Sequence, residues 1–312
     1  MTKLNIKSLS DIAKDGVSDL KEKAKVLDSL MGISTGYTQL DAILGGFLPG
    51  TLVTLGGRTS MGKTTFAINL LHNLGVEQQI PCLWLSLDET EKMTFSSFVS
   101  CSLKLDSKKL MNGMLDVGEW EVLDKGLSKL IDSPIFIEAK HSHTIDELCE
   151  TIRTTSVENG IKVAFVDYLQ LIFLKESYTD NRYQELNYIT RRLKALAKEL
   201  DITIIVLSQL NRNSESDNRF DGHRPVLTDL RDSGTICDDS DVVCFVYRPD
   251  YYHIYQDDKG NDLHGLAFLI VAKNKYGGTG ETLFSVDLSK KSFRQSALNS
   301  FEDDSGLDVQ PF

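Results

Sequence analysis

The sequence predicts an α/β protein: a doubly wound, mainly parallel sheet with an antiparallel C-terminal extension. Short aliphatic and β-branched runs alternate with stretches of helical period along the middle of the chain, the pattern of strand–helix–strand crossovers. One strand-to-helix junction is a glycine-rich turn, Gly57-Arg58-Thr59-Ser60-Met61-Gly62-Lys63-Thr64. The last three apolar runs, 242–247, 266–272 and 282–287, follow one another without long helices between them, which predicts antiparallel pairing there.

Taken in order, residues 9–31 predict one helix, because Leu20, Ala24, Leu27 and Met31 recur at helical spacing and Gly32 closes the run. Its apolar stripe needs a cover, either its own domain or a neighbouring subunit. Residues 33–50 form a compact, glycine-punctuated approach to the first strand, Leu52 to Leu55. After the glycine-rich turn, Phe66, Leu70, Leu71 and Leu74 predict a helix from Lys63 to Leu74. Further strands are predicted at 82–87, 135–138, 163–167 and 202–208, and helices at 91–103, 116–131, 144–159 and 182–200. Residues 296–312 are polar and acidic, which predicts a disordered tail. The organisation expected is therefore a linker helix over 1–31, one large domain over 32–295, and the tail over 296–312.

Bulk composition narrows the class. A hydrophobic fraction of 41% and a mean hydropathy of −0.18 are those of a soluble globular chain. There is no 18-residue apolar run, and Met1 to Ser10 lacks the apolar segment of a signal peptide, so a cytoplasmic protein with no membrane partner is expected. The five cysteines form no C-x-x-C pair, and Cys82 and Cys244 sit inside apolar runs. Buried free thiols in a reducing compartment follow, rather than disulfides or zinc. The net charge of −11 excludes a protein coated all over in basic residues. It leaves room for nucleic acid bound in a locally positive channel.

The glycine-rich turn is a complete G-x-x-x-x-G-K-[ST] phosphate loop in the strand–turn–helix context that the motif requires. Its backbone N–H groups turn inward around phosphates, and the following helix N-terminus adds favourable potential for an anion. Residues Gly57, Arg58, Thr59, Ser60, Met61, Gly62, Lys63, Thr64 and Thr65 are the candidate nucleotide-binding set. Lys63 reaches the β- and γ-phosphates and the Thr64 hydroxyl ligates Mg²⁺, so ATP and Mg²⁺ are the expected ligands. Val163 to Asp167 is an apolar strand ending in a carboxylate, the arrangement in which Asp167 holds the water shell of the metal. Hydrolysis also needs a carboxylate beside the attacking water. The second strand delivers two, Asp88 and Glu89, at the sheet edge where ligands of open α/β sheets bind. Those two acids read equally as caps of the helix beginning near Thr90. Gln209, at the exit of another apolar strand, places an amide where it can sense a γ-phosphate.

Together these residues resemble the ATPase domain of DnaB-type replicative DNA helicases, hexameric proteins of RecA-like fold. The resemblance runs in order from about Ile33 to Arg294. It is carried by Ser-Met-Gly-Lys-Thr-Thr-Phe (60–66), Ser-Leu-Asp-Glu (86–89), Asp-Tyr-Leu-Gln-Leu (167–171), Leu-Ser-Gln-Leu-Asn-Arg (207–212), Arg-Pro-Val-Leu-Thr-Asp-Leu-Arg-Asp-Ser-Gly (224–234) and Ala-Lys-Asn-Lys-Tyr-Gly (272–277). It implies an ATP-dependent helicase moving on single-stranded DNA as a ring, with a primase or a helicase loader among its candidate partners. The family's catalytic glutamate falls on Asp88, with Glu89 beside it. Gln209 matches the phosphate-sensing glutamine. Arg231, Asp232 and Gly234 match the channel-lining loop that holds the strand. Lys273 matches a lysine reaching a neighbour's ATP, and Lys275 stands where the family has an arginine finger, a point charge in place of a bidentate fork. The helix at 9–31 resembles the family's linker and stands where a separate N-terminal domain is usual. Arg191, Arg192, Lys194 and Lys198 read as a solvated helix face. The stretch 211–222, with Arg212, is the better candidate for sequence-indifferent contact with DNA phosphates. The competing expectations are a RecA- or RadA-like recombinase, or a regulatory ATPase that binds single strands or a host helicase without unwinding.

Overall fold

The computed structural model describes residues 8–10, 13, 17, 30–140, 143–175, 181–211 and 223–296, without the side chains of 231–235. Most of the stretch expected as the linker helix, the tail beyond Ser296, and Arg212 therefore lie outside the described residues.

A short helix α1 (Thr38–Leu44) leads into β1 (Leu52–Gly57), the phosphate loop, and α2 (Lys63–Leu71), which continues as a wider helical turn over His72–Glu77. Next come β2 (Cys82–Ser86), α3 (Glu91–Leu103), α4 (Ser107–Asn112), α5 (Val117–Ile131) and β3 (Ile135–Ala139). The two-residue β4 (His143–Thr144), α6 (Ile145–Asn159), β5 (Val163–Asp167), β6 (Ile172–Phe173), α7 (Arg182–Leu200) and β7 (Thr203–Gln209) follow. The described chain closes with α8 (Gly234–Asp239), β8 (Val242–Tyr247), β9 (Leu266–Asn274), β10 (Gly280–Asp287) and β11 (Ser292–Gln295).

Among the described residues, nine strands make one sheet in the order β11-β10-β9-β8-β1-β7-β5-β2-β3. From β8 to β3 all pairs are parallel. The pairs β8–β9, β9–β10 and β10–β11 are antiparallel. The antiparallel extension thus starts one strand later than the sequence suggested. The run 242–247 lies parallel to β1, because the short α8 crosses over just before it. The extension gains β11, for which the sequence carries no apolar run.

The central parallel strands are mainly apolar because both of their faces are covered, as expected when helices pack on each side, whereas the edge strand β3 is only half-buried. On β5, Val163 and Phe165 join one core with Phe66, Trp84 and Phe284, while Ala164 and Val166 join the other with Leu148, Ile189 and Leu193. Helices α2 and α3 supply the first core, α6 and α7 the second. Capping boxes start α5 (Asp116 with Glu119) and α6 (Thr144 with Glu147), which satisfies N–H groups that a helix start otherwise leaves bare. All five cysteines are free, and every one except Cys237 is buried. Among the described residues no helix is long and apolar enough to cross a membrane.

Candidate active site

Parallel strands that all point one way bring their carboxyl ends to one edge, where the phosphate loop, Asp88, Glu89, Asp167 and Gln209 lie. β1 is buried along its length and ends at Gly57, so the phosphate loop springs from a rigid base. Gly62 sits at φ 94°, in the left-handed region, and a Cβ there would lie 3.1 Å from Cζ of Phe293. Only glycine takes that conformation without strain. Lys63 then starts α2 with its ammonium folded back onto the loop: Nζ donates to the carbonyls of Gly57 (2.9 Å) and Arg58 (3.0 Å). Burial depresses its pKa to about 8, opposed by the nearby Asp167 carboxylate and reinforced by the Arg58 guanidinium.

β2 and β5 are neighbours, with Ser86 opposite Asp167, and the Leu87 N–H donates to the Asp167 carbonyl at 2.8 Å. That register brings Asp88 and Glu89 beside Asp167. Burial pushes Asp167 up to about 7; a hydrogen bond from Thr64 pulls it down, Glu89 and Asp88 push it up, and Lys63 pulls it down. Glu89 is also raised, first by burial and then by Asp88, against the pull of Lys291. The cap of α3 is Thr90, whose hydroxyl accepts from the Met93 N–H. Capping is therefore the work of Thr90, and of the two acids before it Asp88 is exposed and Glu89 half-buried.

β7 runs between β1 and β5, so its end separates the phosphate loop from the acids. Gln209 Nε2 donates to Thr59 Oγ1 of the loop at 2.6 Å. Gln170 braces that position from the other side: its Nε2 donates to Ser208 Oγ (3.0 Å) and the Gln209 carbonyl (3.1 Å), and its Oε1 accepts from the Gln209 N–H (3.2 Å). Reading the sequence missed this brace. It also missed Arg248, which follows β8, donates from Nη1 to the Ser60 carbonyl at 3.3 Å and pairs with Asp250 at 3.0 Å. The available signal was an arginine directly after an apolar strand, and it becomes informative only once β8 is known to flank β1.

The remaining candidates lie elsewhere. Lys273 pairs opposite Val243, level with the amino-terminal half of β1, and its Nζ donates to the carbonyls of Cys237 (2.6 Å) and Asp238 (3.3 Å). Lys275 Nζ stands 3.9 Å from Asp241. Both sit toward the opposite end of the strands from their own phosphate loop. Arg231, Asp232 and Gly234 occupy the backbone of the 3₁₀ turn Leu227–Ser233 and the start of α8.

A phosphate loop on β1, a carboxylate at the end of β5 and an amide on the strand between them define a P-loop protein of RecA-like fold. Residues 32–295 match the family model described as DnaB-like helicase C terminal domain. The chain is 34% identical over 323 residues to the replicative DNA helicase DnaB of Rickettsia prowazekii (strain Madrid E), covering 96% of this chain and 66% of that one. Among solved structures it resembles one described as an ATPase domain, with a TM-score of 0.82 and 28% identity over 91% of this chain and 98% of that one. A DnaB-like replicative helicase, described together with its interactions with primase, gives a TM-score of 0.80 at 28% identity, over 89% and 66% of the two chains. The chain belongs to the DnaB-like helicase family, in the family's C-terminal domain. It spans about two thirds of the length of the first curated relatives it matches, 64% to 66%.

Proposed function

We propose that the chain is the ATP-hydrolysing motor of a replicative DNA helicase, working in the cytoplasm as a ring, of six subunits by family resemblance, that moves along single-stranded DNA. The observation that carries this is the convergence of Lys63, Asp167 and Glu89 at one sheet edge, with Gln209 tied to the same phosphate loop. Lys63 exchanges its two loop carbonyls for β- and γ-phosphate oxygens, and the backbone N–H groups of residues 58–65 cradle the rest. Glu89 is the favoured base. Half-buried, and with its proton affinity raised, it is better matched than exposed Asp88 to take the proton of the attacking water.

The donors present suit Mg²⁺. Thr64 and Asp167 are hard oxygen ligands already in contact, and the Asp167 carboxylate is destabilised by burial and by two acids, a cost that a dication relieves. Among the described residues no cluster of three or more His, Cys, Asp or Glu side chains could hold a metal alone, as fits an ion that shares one or two protein ligands with phosphate oxygens. Bound there, Mg²⁺ would neutralise charge developing on the phosphate chain. Lys273 and Lys275, remote from their own loop, serve the nucleotide of an adjacent subunit. Arg212, Arg231, Asp232 and Gly234 hold the strand backbone, and the kinship with a helicase described with primase makes a primase, or a loader, the expected further partner.

The test is forked-duplex unwinding with ATP and Mg²⁺. Unwinding that falls about 10²–10³-fold in Lys63→Ala, with melting temperature unchanged, is the expected result. ATP turnover without strand separation would replace this reading with a regulatory ATPase, and extended filaments instead of rings by electron microscopy would replace it with a recombinase.

A further inference from the structure

The second residue of the phosphate loop has a role beyond cradling phosphate. Arg58 is buried, only 9% exposed, although arginine is among the residues least often buried unless its charge is satisfied. Its Nη1 donates to the main-chain carbonyl of Leu210 at 3.0 Å, in a buried contact. Leu210 in turn donates its N–H to the Gly57 carbonyl at 3.3 Å, so the exit of β7 and the root of the phosphate loop are cross-linked in both directions. One residue on, the Asn211 N–H donates to the Asp229 carbonyl at 3.3 Å. Asp229 is itself buried, and its Oδ2 accepts from the Val226 N–H at 2.8 Å. A continuous hydrogen-bonded path therefore runs from Arg58 through 210–211 to the 3₁₀ turn Leu227–Ser233, which leads into α8.

A second observation supports the same connection. A small cavity of about 10 Å³ is lined by Arg58, Met61, Leu210, His223, Pro225 and Tyr252, among others. The phosphate loop forms one wall, and the two flanks of the stretch 211–222 form others. His223 is held there by stacking on Tyr252, with ring centroids 4.7 Å apart. Such a space holds no more than about one water, so the phosphate loop and these flanks face each other across a narrow gap.

We propose that Arg58 is a positioning residue that couples the nucleotide state of the phosphate loop to residues 210–211 and 226–233, and so links affinity for nucleotide to affinity for single-stranded DNA. This rests on reading the chain as a DNA-dependent ATPase. It differs from the tie between Gln209 and Thr59, which joins two side chains: Arg58 grips main chain, so it moves the backbone that leads out of β7.

The test uses the full chain and a fluorescent oligo-dT. Its dissociation constant is measured with and without a non-hydrolysable ATP analogue and Mg²⁺, and the ratio is the coupling factor. The wild type should show a factor on the order of 10. Arg58→Met, which keeps the length but no donor, should bring the factor close to 1. Arg58→Lys, which keeps one donor in reach of the Leu210 carbonyl, should restore most of it. A methionine variant that binds nucleotide or DNA more weakly but keeps the wild-type ratio overturns the inference alone. A wild-type factor of 1 overturns the DNA-dependent reading beneath it. Hydrogen exchange on the wild type guards against a variant that fails to fold: the nucleotide analogue should alter protection at 210–211 and 226–230, and unchanged protection there refutes the coupling.

Discussion

The parallel half of the sheet and its antiparallel extension do different jobs and differ in their ladders, slanted and evenly spaced bonds in the first, perpendicular and alternately spaced bonds in the second. Strands β1, β2, β5 and β8 are buried at every residue, whereas β9, β10 and β11 each mix buried with exposed or half-buried positions. Because both faces of the parallel half are covered, its polar chemistry is confined to the strand ends, where Lys63, Asp167, Glu89 and Gln209 meet. The extension, with less of its surface covered, carries cations on the strand itself, Lys273 on β9 and Lys275 just beyond it. It also buttresses the nucleotide end: Phe293 packs on Phe66 and Phe284, its N–H donates to Asn69 Oδ1 at 3.0 Å, and its ring lies under Gly62. One half builds the site, and the other holds it in place.

Three substitutions sharpen that division. The largest stability effect is expected at Phe165, fully buried at the centre of the parallel half beside Trp84. Phe165→Ala should destabilise the protein by about 3–5 kcal/mol in denaturant unfolding, and a loss under about 1 kcal/mol would contradict a rigid parallel core. Asp167→Asn should act in the reverse sense. Its carboxyl, raised from the usual 3.8 to about 7, keeps a proton in the folded protein that the unfolded chain has released. The stability this group contributes is therefore full below about 3.8 and lost as pH rises through about 7. The asparagine variant should then be more stable than wild type at about pH 8, by on the order of 1–3 kcal/mol and with a higher melting temperature, with the gain vanishing near pH 4, while ATPase activity is lost. An equal or lower melting temperature under the same alkaline conditions would show the carboxylate already compensated. The smallest effect separates the extension's supporting role: Phe293→Ala should raise the KM for ATP about 3- to 10-fold, roughly 1 kcal/mol of loop positioning. Phe165→Ala should leave the KM of its folded fraction unchanged.

Much of the site was legible in the chain because its parts are local. The phosphate loop, the acid closing β5 and the amide closing β7 each fall at the end of an apolar run, and the helices at 91–103 and 182–200 appear with those bounds. What could not be read there depends on contacts far apart in sequence. Thr90 rather than Asp88 or Glu89 caps α3, which became visible only with the backbone in place. Gln170 and Arg248 reach the site because β5 and β8 settle beside β7 and β1.

By itself, then, the sequence determined the alternation of buried strands and amphipathic helices and the phosphate-binding chemistry, since side-chain period and glycine placement act over a few residues. Only the tertiary structure decided the strand order, the parallel setting of β8 and the existence of β11. The segment Ser292–Gln295 has no strand signature of its own. It becomes a strand because Phe293 finds an aromatic pocket and Asn69 supplies a partner for its backbone, a gain that exists only after helix α2 has been laid on the sheet.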